Sequence, residues 1–166
     1  MSIFVPSMSD TTENVKSSRI LFTVGHSVHV VPDFFALLRA HKIDVIADVR
    51  SKPYSRHVPQ YNYSDIRAAA IGGGFRYVYL GRELGGYPPN PDLFPTGIER
   101  LVTGIVEYRV AAMCAEEDPA PCHRHRLIGP ALRKLGLAVH HIRADARVES
   151  WEEVEKRRAP QPSLFP

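Results

Sequence analysis

Ile20-Leu21-Phe22-Thr23-Val24 and Val45-Ile46-Ala47-Asp48-Val49 are short apolar runs rich in β-branched residues, and between them Phe34, Phe35, Leu37 and Leu38 mark an amphipathic stretch. Runs this short have the length of buried strands, and the intervening spacing is that of a helix, so the segment reads strand, helix, strand. The alternation continues outward. A short helix over Tyr63 to Ala70 is stopped by Gly72, Gly73 and Gly74, and Phe75 to Leu80 gives a third strand. Ile98, Leu101, Val102, Ile105 and Val106 form one apolar stripe at helical spacing, on a helix beginning near Thr96. Val110 to Cys114 is a fourth strand. Leu127, Ile128, Ala131, Leu132 and Leu135 mark another helix, in which Pro130 predicts a kink or a late start, and Leu137 to Ile142 closes the series as a strand. Alternating short strands and helices predict an α/β fold: a three-layer domain with a mostly parallel sheet of about five strands and helices on both faces.

The boundaries follow from composition. Residues 1–18 are polar and aperiodic and read as a disordered leader, residues 19–150 as a single α/β domain, and residues 151–166 as an exposed tail. The chain has 166 residues, 44% of them hydrophobic, and 21 Lys+Arg against 18 Asp+Glu give a net charge of +3. That content supports one sizeable core and excludes disorder throughout. No apolar run approaches the roughly 18 residues of a membrane span, and Met1 to Pro6 lacks a basic region leading into an apolar stretch, so no membrane association and no export are expected. Two cysteines cannot staple a secreted module, which makes a reducing cytoplasm the expected location.

Ligands of parallel sheets bind beyond the carboxyl ends of the strands, and the chemically unusual residues of this chain collect there. The first strand leads into Gly25-His26-Ser27, the second into Asp48-Val49-Arg50 with Pro53 and Ser55, the third into Glu83, Gly85 and Gly86, and the fourth into Cys114, Glu116, Cys122, His123, Arg124 and Arg126. A cysteine beside arginines at the start of a helix is a setting for a thiolate nucleophile or an anion cradle. Three readings of the thiols stand side by side: a reactive or anion-binding Cys122, a structural role for both, and a metal site or reversible disulfide. The Cys-x7-Cys spacing is not that of a standard zinc site, so a divalent metal is not expected. Asp48 and Arg50, two apart on a strand, share a face and form either an acid/base or positioning pair or a plain ion pair. His26 is a general base or a hydrogen-bonded loop histidine, and Ser27 a cap or a catalytic hydroxyl. The tyrosines, Tyr87 among them, offer stacking faces for bases or ordinary packing. A magnesium-dependent nuclease would need Asp48, Glu83 and Glu116 brought together. A dinucleotide-binding Rossmann site is disfavoured, since Gly72-Gly73-Gly74 precedes a strand.

Together, Thr23-Val24-Gly25-His26-Ser27, Asp48-Val49-Arg50 with Pro53 and Ser55, Leu84-Gly85-Gly86, Met113-Cys114-Ala115-Glu116 and Cys122-His123-Arg124 resemble the family called domain of unknown function 488, over roughly residues 19 to 145. The resemblance implies an α/β fold with these residues around a cleft, and no established reaction.

Gln161-Pro162-Ser163-Leu164-Phe165 independently resembles the peptide by which bacterial polymerases and repair proteins dock on the DNA sliding clamp. In such peptides the apolar pair, here Leu164 and Phe165, enters a pocket while the glutamine, here Gln161, makes a directional hydrogen bond; Ser163 matches and Pro162 replaces the usual leucine. The expected function is an enzyme of DNA metabolism or repair. His26, Ser27, Asp48, Glu116 and Cys122 are its candidate catalytic residues. Arg50, Pro53, Ser55, Glu83, Gly85, Gly86, Cys114, His123, Arg124 and Arg126 are those contacting a nucleotide or nucleic acid. The alternatives are a cysteine-dependent small-molecule hydrolase or transferase and a non-catalytic DNA-binding adaptor.

Overall fold

The computed structural model describes residues 19–160. The leader and the clamp-like peptide with Gln161, Ser163, Leu164 and Phe165 therefore lie outside the described residues. The elements are β1 (Ile20–Gly25), α1 (Val31–Ala40), β2 (Val45–Asp48), α2 (Tyr63–Gly72), β3 (Arg76–Tyr79), α3 (Gly81–Leu84), α4 (Phe94–Glu107), β4 (Val110–Cys114), α5 (Gly129–Lys134), β5 (Ala138–Ile142), β6 (Val148–Ser150) and α6 (Trp151–Arg158). The sheet has six strands in the order β3-β2-β4-β1-β5-β6. β1 to β5 are parallel, and the added sixth strand pairs antiparallel with β5. Among the described residues no helix is long and apolar enough to cross a membrane.

Strand alternation builds the three layers. Leu21, Val45, Ala47, Ala112 and Val139 pack on one face against Ile98, Leu101 and Ile105 of α4 and Leu132 of α5. Phe22, Val24, Ile46, Ala111 and Met113 pack on the other against α1 and α2 through Phe34, Leu38 and Ile66. Both faces are apolar because both are covered, which is why the strands read as continuous hydrophobic runs.

The helix expected around Pro130 is broken ahead of it. Arg124–Ile128 winds as a π-helix and α5 follows with Pro130 in its first turn, where the missing N–H costs nothing. The expectation of an exposed tail from residue 151 is corrected: residues 151–158 form α6. Ser150 caps it, its side chain accepting from Glu153 N–H while the Glu153 carboxylate accepts from Ser150 N–H. Val154 is buried, and Trp151 stacks on His125 at 5.2 Å and donates to the His125 carbonyl at 3.1 Å.

Candidate functional site

The order β2-β4-β1 at the centre of the sheet sets three loops side by side at its carboxyl edge. Gly25 pairs with Cys114 and Asp48 with Met113, so the turns after β1, β4 and β2 begin level with one another. The loop after β4 passes directly over Gly25, where a Cβ would lie 1.8 Å from the Glu116 carbonyl oxygen; only glycine permits that crossing. Alternation then sorts the polar side chains of this edge into two clusters.

The first holds His26, Asp48, Arg50 and Tyr77. Arg50 grips Asp48 with both arms of its guanidinium, Nε to Oδ1 at 2.9 Å and Nη2 to Oδ2 at 2.7 Å, and the Tyr77 hydroxyl donates to Oδ2 at 2.6 Å. Arg50 Nη1 donates to His26 Nε2 at 3.1 Å, which leaves the proton of His26 on Nδ1, donated to the Ser27 carbonyl at 2.9 Å. His26 also stacks on Tyr61 with ring centroids 4.1 Å apart. Burial, ahead of the Arg50 charge, pushes its pKa down to about 4. Asp48 and Arg50 share a face as the spacing predicts. In this arrangement the Nε2 lone pair of His26, the atom a general base would use, is occupied by the Arg50 donor.

The second cluster lies on the α4 and α5 side. Cys114, Cys122 and His123 bring their donor atoms within 4.8 Å of one another. His123 Nδ1 sits 3.8 Å from Cys114 Sγ and 3.6 Å from Cys122 Sγ, while its Nε2–H donates to the Val49 carbonyl at 3.0 Å. The Cys114 thiol donates to the Cys122 sulfur, and this bond, with the charge of Arg124, lowers the Cys122 pKa to about 6 against the effect of burial. The same bond together with burial raises Cys114 to about 12. The shifts run in opposite directions across the pair, down at Cys122 and up at Cys114, and both sulfurs are buried, at 4% and 7% exposure. These residues form one wall of a cavity of about 330 Å³ whose other walls include Arg50, Lys52, Gly86, Tyr87 and Glu116. Tyr87 is 63% exposed at the rim, and the guanidinium of Arg126 lies 5.4 Å over its ring.

Arg124, expected to bind substrate, is fully buried and serves the fold instead. It donates to Thr23 Oγ1 at 2.8 Å and to the carbonyls of Glu116 and Glu117 at 2.6 and 2.8 Å, holding the loop after β4. From Thr23 a relay crosses the domain: His141 Nδ1 is 2.7 Å from Thr23 Oγ1, His141 Nε2 is 3.0 Å from His125 Nδ1, and His125 Nε2 is 2.7 Å from Glu155 Oε1. The carboxylate can only accept, so His125 carries its proton on Nε2, His141 donates from Nε2 to His125, and Thr23 donates to His141. No spacing in the sequence points to this chain, because its members lie on four separate elements.

Burial and the Arg124 charge, with His125, Arg143 and His140, push the His141 pKa down to about 2. A histidine neutral in the fold and protonated in the unfolded chain contributes stability that is full above its unfolded pKa near 6.5 and lost as pH falls toward the folded value. His141 and His26 together should cost about 2–3 kcal/mol per pH unit between pH 6 and 4. Glu117 and Glu149, held low by Arg143 and Arg157, add their loss only at lower pH. Urea midpoints are expected to fall steadily from pH 7 to 5, and His141→Gln is expected to flatten that slope.

The other expected residues divide similarly. Glu83 is ion-paired with Arg100 and does not line the cavity, and Ser55 accepts from the N–H groups of His57 and Val58 in a local turn. Ser27, with a φ of 46°, and Pro53 likewise lie outside the cavity wall. At Gly85 a Cβ would lie 2.6 Å from the Ser51 backbone, so its closeness is to another loop and not to a ligand, whereas Gly86 faces the cavity. Asp48, Glu83 and Glu116 do not converge: among the described residues the one group of three potential metal ligands is Cys114, Cys122 and His123. Lys52 is a cavity residue that sequence reasoning passed over, and its place after Arg50 in the β2 loop was the available signal.

The family described as Domain of unknown function DUF488 matches residues 31–97. The matched stretch runs from α1 into α4 and carries Asp48, Arg50, Gly85 and Gly86, which supports the resemblance seen in those loops. Comparison with curated proteins and with solved structures found no match.

Proposed function

We propose that the chain is an enzyme acting on a nucleotide or nucleic acid, by hydrolysis or group transfer, with the Cys114, Cys122 and His123 cluster as its reactive centre and the peptide from Gln161 docking it on the DNA sliding clamp. The observation that carries the reading is the shared cavity: Cys122 with its lowered pKa, the cation Lys52 and the exposed ring of Tyr87 line one space of about 330 Å³, with Arg50 beside them already paired to Asp48. A cavity of this size accepts a small ligand or the end of a longer one. Cations recognise phosphate, and an exposed tyrosine offers a face on which a base stacks. Arg126, at 5.4 Å over that ring, adds a cation at the rim.

The clamp-docking part rests on the peptide Gln161-Pro162-Ser163-Leu164-Phe165 alone. The full chain is expected to bind a bacterial sliding clamp at micromolar strength or better, and a chain truncated before Gln161 is expected to lose binding, as read by surface plasmon resonance. Equal binding by both, or by neither, would remove the clamp from the account and leave a cysteine-centred hydrolase or transferase of small molecules, which a cavity of about 330 Å³ also suits.

A further inference from the structure

We propose that Cys114, Cys122 and His123 form a three-ligand seat for a zinc-class divalent cation, with its fourth position open to the cavity. This inference rests on the reading of the same cluster as the reactive centre. Zinc bonds of about 2.3 Å to sulfur and 2.0–2.1 Å to nitrogen place tetrahedral sulfur and nitrogen ligands about 3.6 Å apart. The observed separations from His123 Nδ1, 3.6 Å to Cys122 Sγ and 3.8 Å to Cys114 Sγ, leave room for an ion between all three.

The second observation is the orientation of the imidazole. Its Nε2–H is committed to the Val49 carbonyl at 3.0 Å, so the proton is fixed on the far nitrogen and the Nδ1 lone pair points at both sulfurs. Metal-bound histidines are held in this way, by a backbone carbonyl or carboxylate on the other nitrogen. Two sulfurs and an imidazole nitrogen select zinc among the common divalent ions over magnesium or calcium, which take oxygen ligands. The spacing objection drawn from Cys-x7-Cys falls away, because the strand end supplies Cys114 and the return of the same loop supplies adjacent Cys122 and His123.

Among the described residues no further cysteine, histidine or carboxylate joins the group, and three protein ligands with one open position characterise catalytic rather than structural zinc sites. Glu116 is the acidic side chain of the cavity wall. With a zinc-class ion held by Cys114, Cys122 and His123, the open position would supply an activated water for hydrolysis, and Glu116 would be the residue of the cavity wall to take that water's proton and return it to the leaving group.

The test uses the full chain, reduced and stripped with a chelator, then titrated with cobalt(II) and zinc(II). One equivalent of cobalt is expected to produce thiolate-to-metal charge-transfer and tetrahedral ligand-field bands, zinc is expected to displace it, and bound zinc is expected to shield Cys122 from iodoacetamide. Cys114→Ser and Cys122→Ser are each expected to weaken binding more than about a hundredfold, since even outer partners of metal ligands are worth about ten- to a hundredfold. Glu116→Gln is expected to keep the full equivalent. Absence of the bands in the wild-type chain, or bands that survive the double serine variant, would overturn the proposal. Should the serine variants fail to fold by circular dichroism, zinc shielding of wild-type Cys122 decides the matter, and unchanged alkylation counts against it. Rapid alkylation of Cys122 without metal binding would leave the reactive-centre reading intact while rejecting the metal.

Discussion

Asp48→Ala is expected to destabilise the protein by about 3–5 kcal/mol, the range found when one partner of a buried ion pair is removed. Asp48 is fully buried and accepts both arms of the Arg50 guanidinium and the Tyr77 hydroxyl. Removing the carboxylate leaves a nearly buried guanidinium without its counter-charge and a half-buried phenol without its acceptor. Asp48→Asn keeps part of the hydrogen bonding but not the charge, and is expected to fall between the two. The consequence reaches the cavity, since Arg50 lines it and also holds His26. Chemical denaturation measures the loss directly. A change under about 1 kcal/mol would show that this cluster is solvated in solution and not the tie described here.

Arg124→Met is expected to cost about 4 kcal/mol and to lower the melting temperature by roughly 10 °C. Its methylene stem is replaced by a chain of similar length, so the loss is that of the guanidinium contacts to Thr23 and to the carbonyls of Glu116 and Glu117. Hydrogen bonds from a charged donor are worth about 1.5–3 kcal/mol each, and the two carbonyls left behind gain water as the loop loosens, which recovers part of the loss. The loop so loosened carries Glu116 and leads to Cys122, so the variant is also expected to lose the lowered pKa of Cys122, to which Arg124 contributes charge. An arginine whose removal left stability untouched and weakened only ligand binding would restore the role that its place in a basic run suggested.

The contrast between these two residues shows what a sequence of this kind discloses. Asp48 and Arg50 are two apart on one strand, so their partnership follows from the period of a strand. The partners of Arg124 are a strand threonine and two carbonyls contributed by a loop, a placement that depends on how β4 returns over Gly25. The five parallel strands were legible because parallel strands covered on both faces must be apolar throughout, whereas the three-residue antiparallel edge strand β6 was not. α6 was not, because it buries only Val154 fully and presents charged residues elsewhere, leaving the pattern of a solvated tail. Its visible sign was the Ser150-x-x-Glu153 capping pair. The cavity residues of the β4 loop were legible as a group, whereas the convergence of Cys114 with His123 depended on a loop path that spacing alone does not encode.

The most direct measurement of the account is alkylation of the reduced, chelator-stripped full chain with iodoacetamide at pH 7, followed by peptide mapping of both cysteines. Cys122, with its pKa lowered to about 6, is expected to react at least about tenfold faster than Cys114, raised to about 12, because the thiolate is the reacting form. Equal labelling of the two cysteines, faster labelling of Cys114, or no labelling of either in the folded chain would contradict a reactive centre at Cys122.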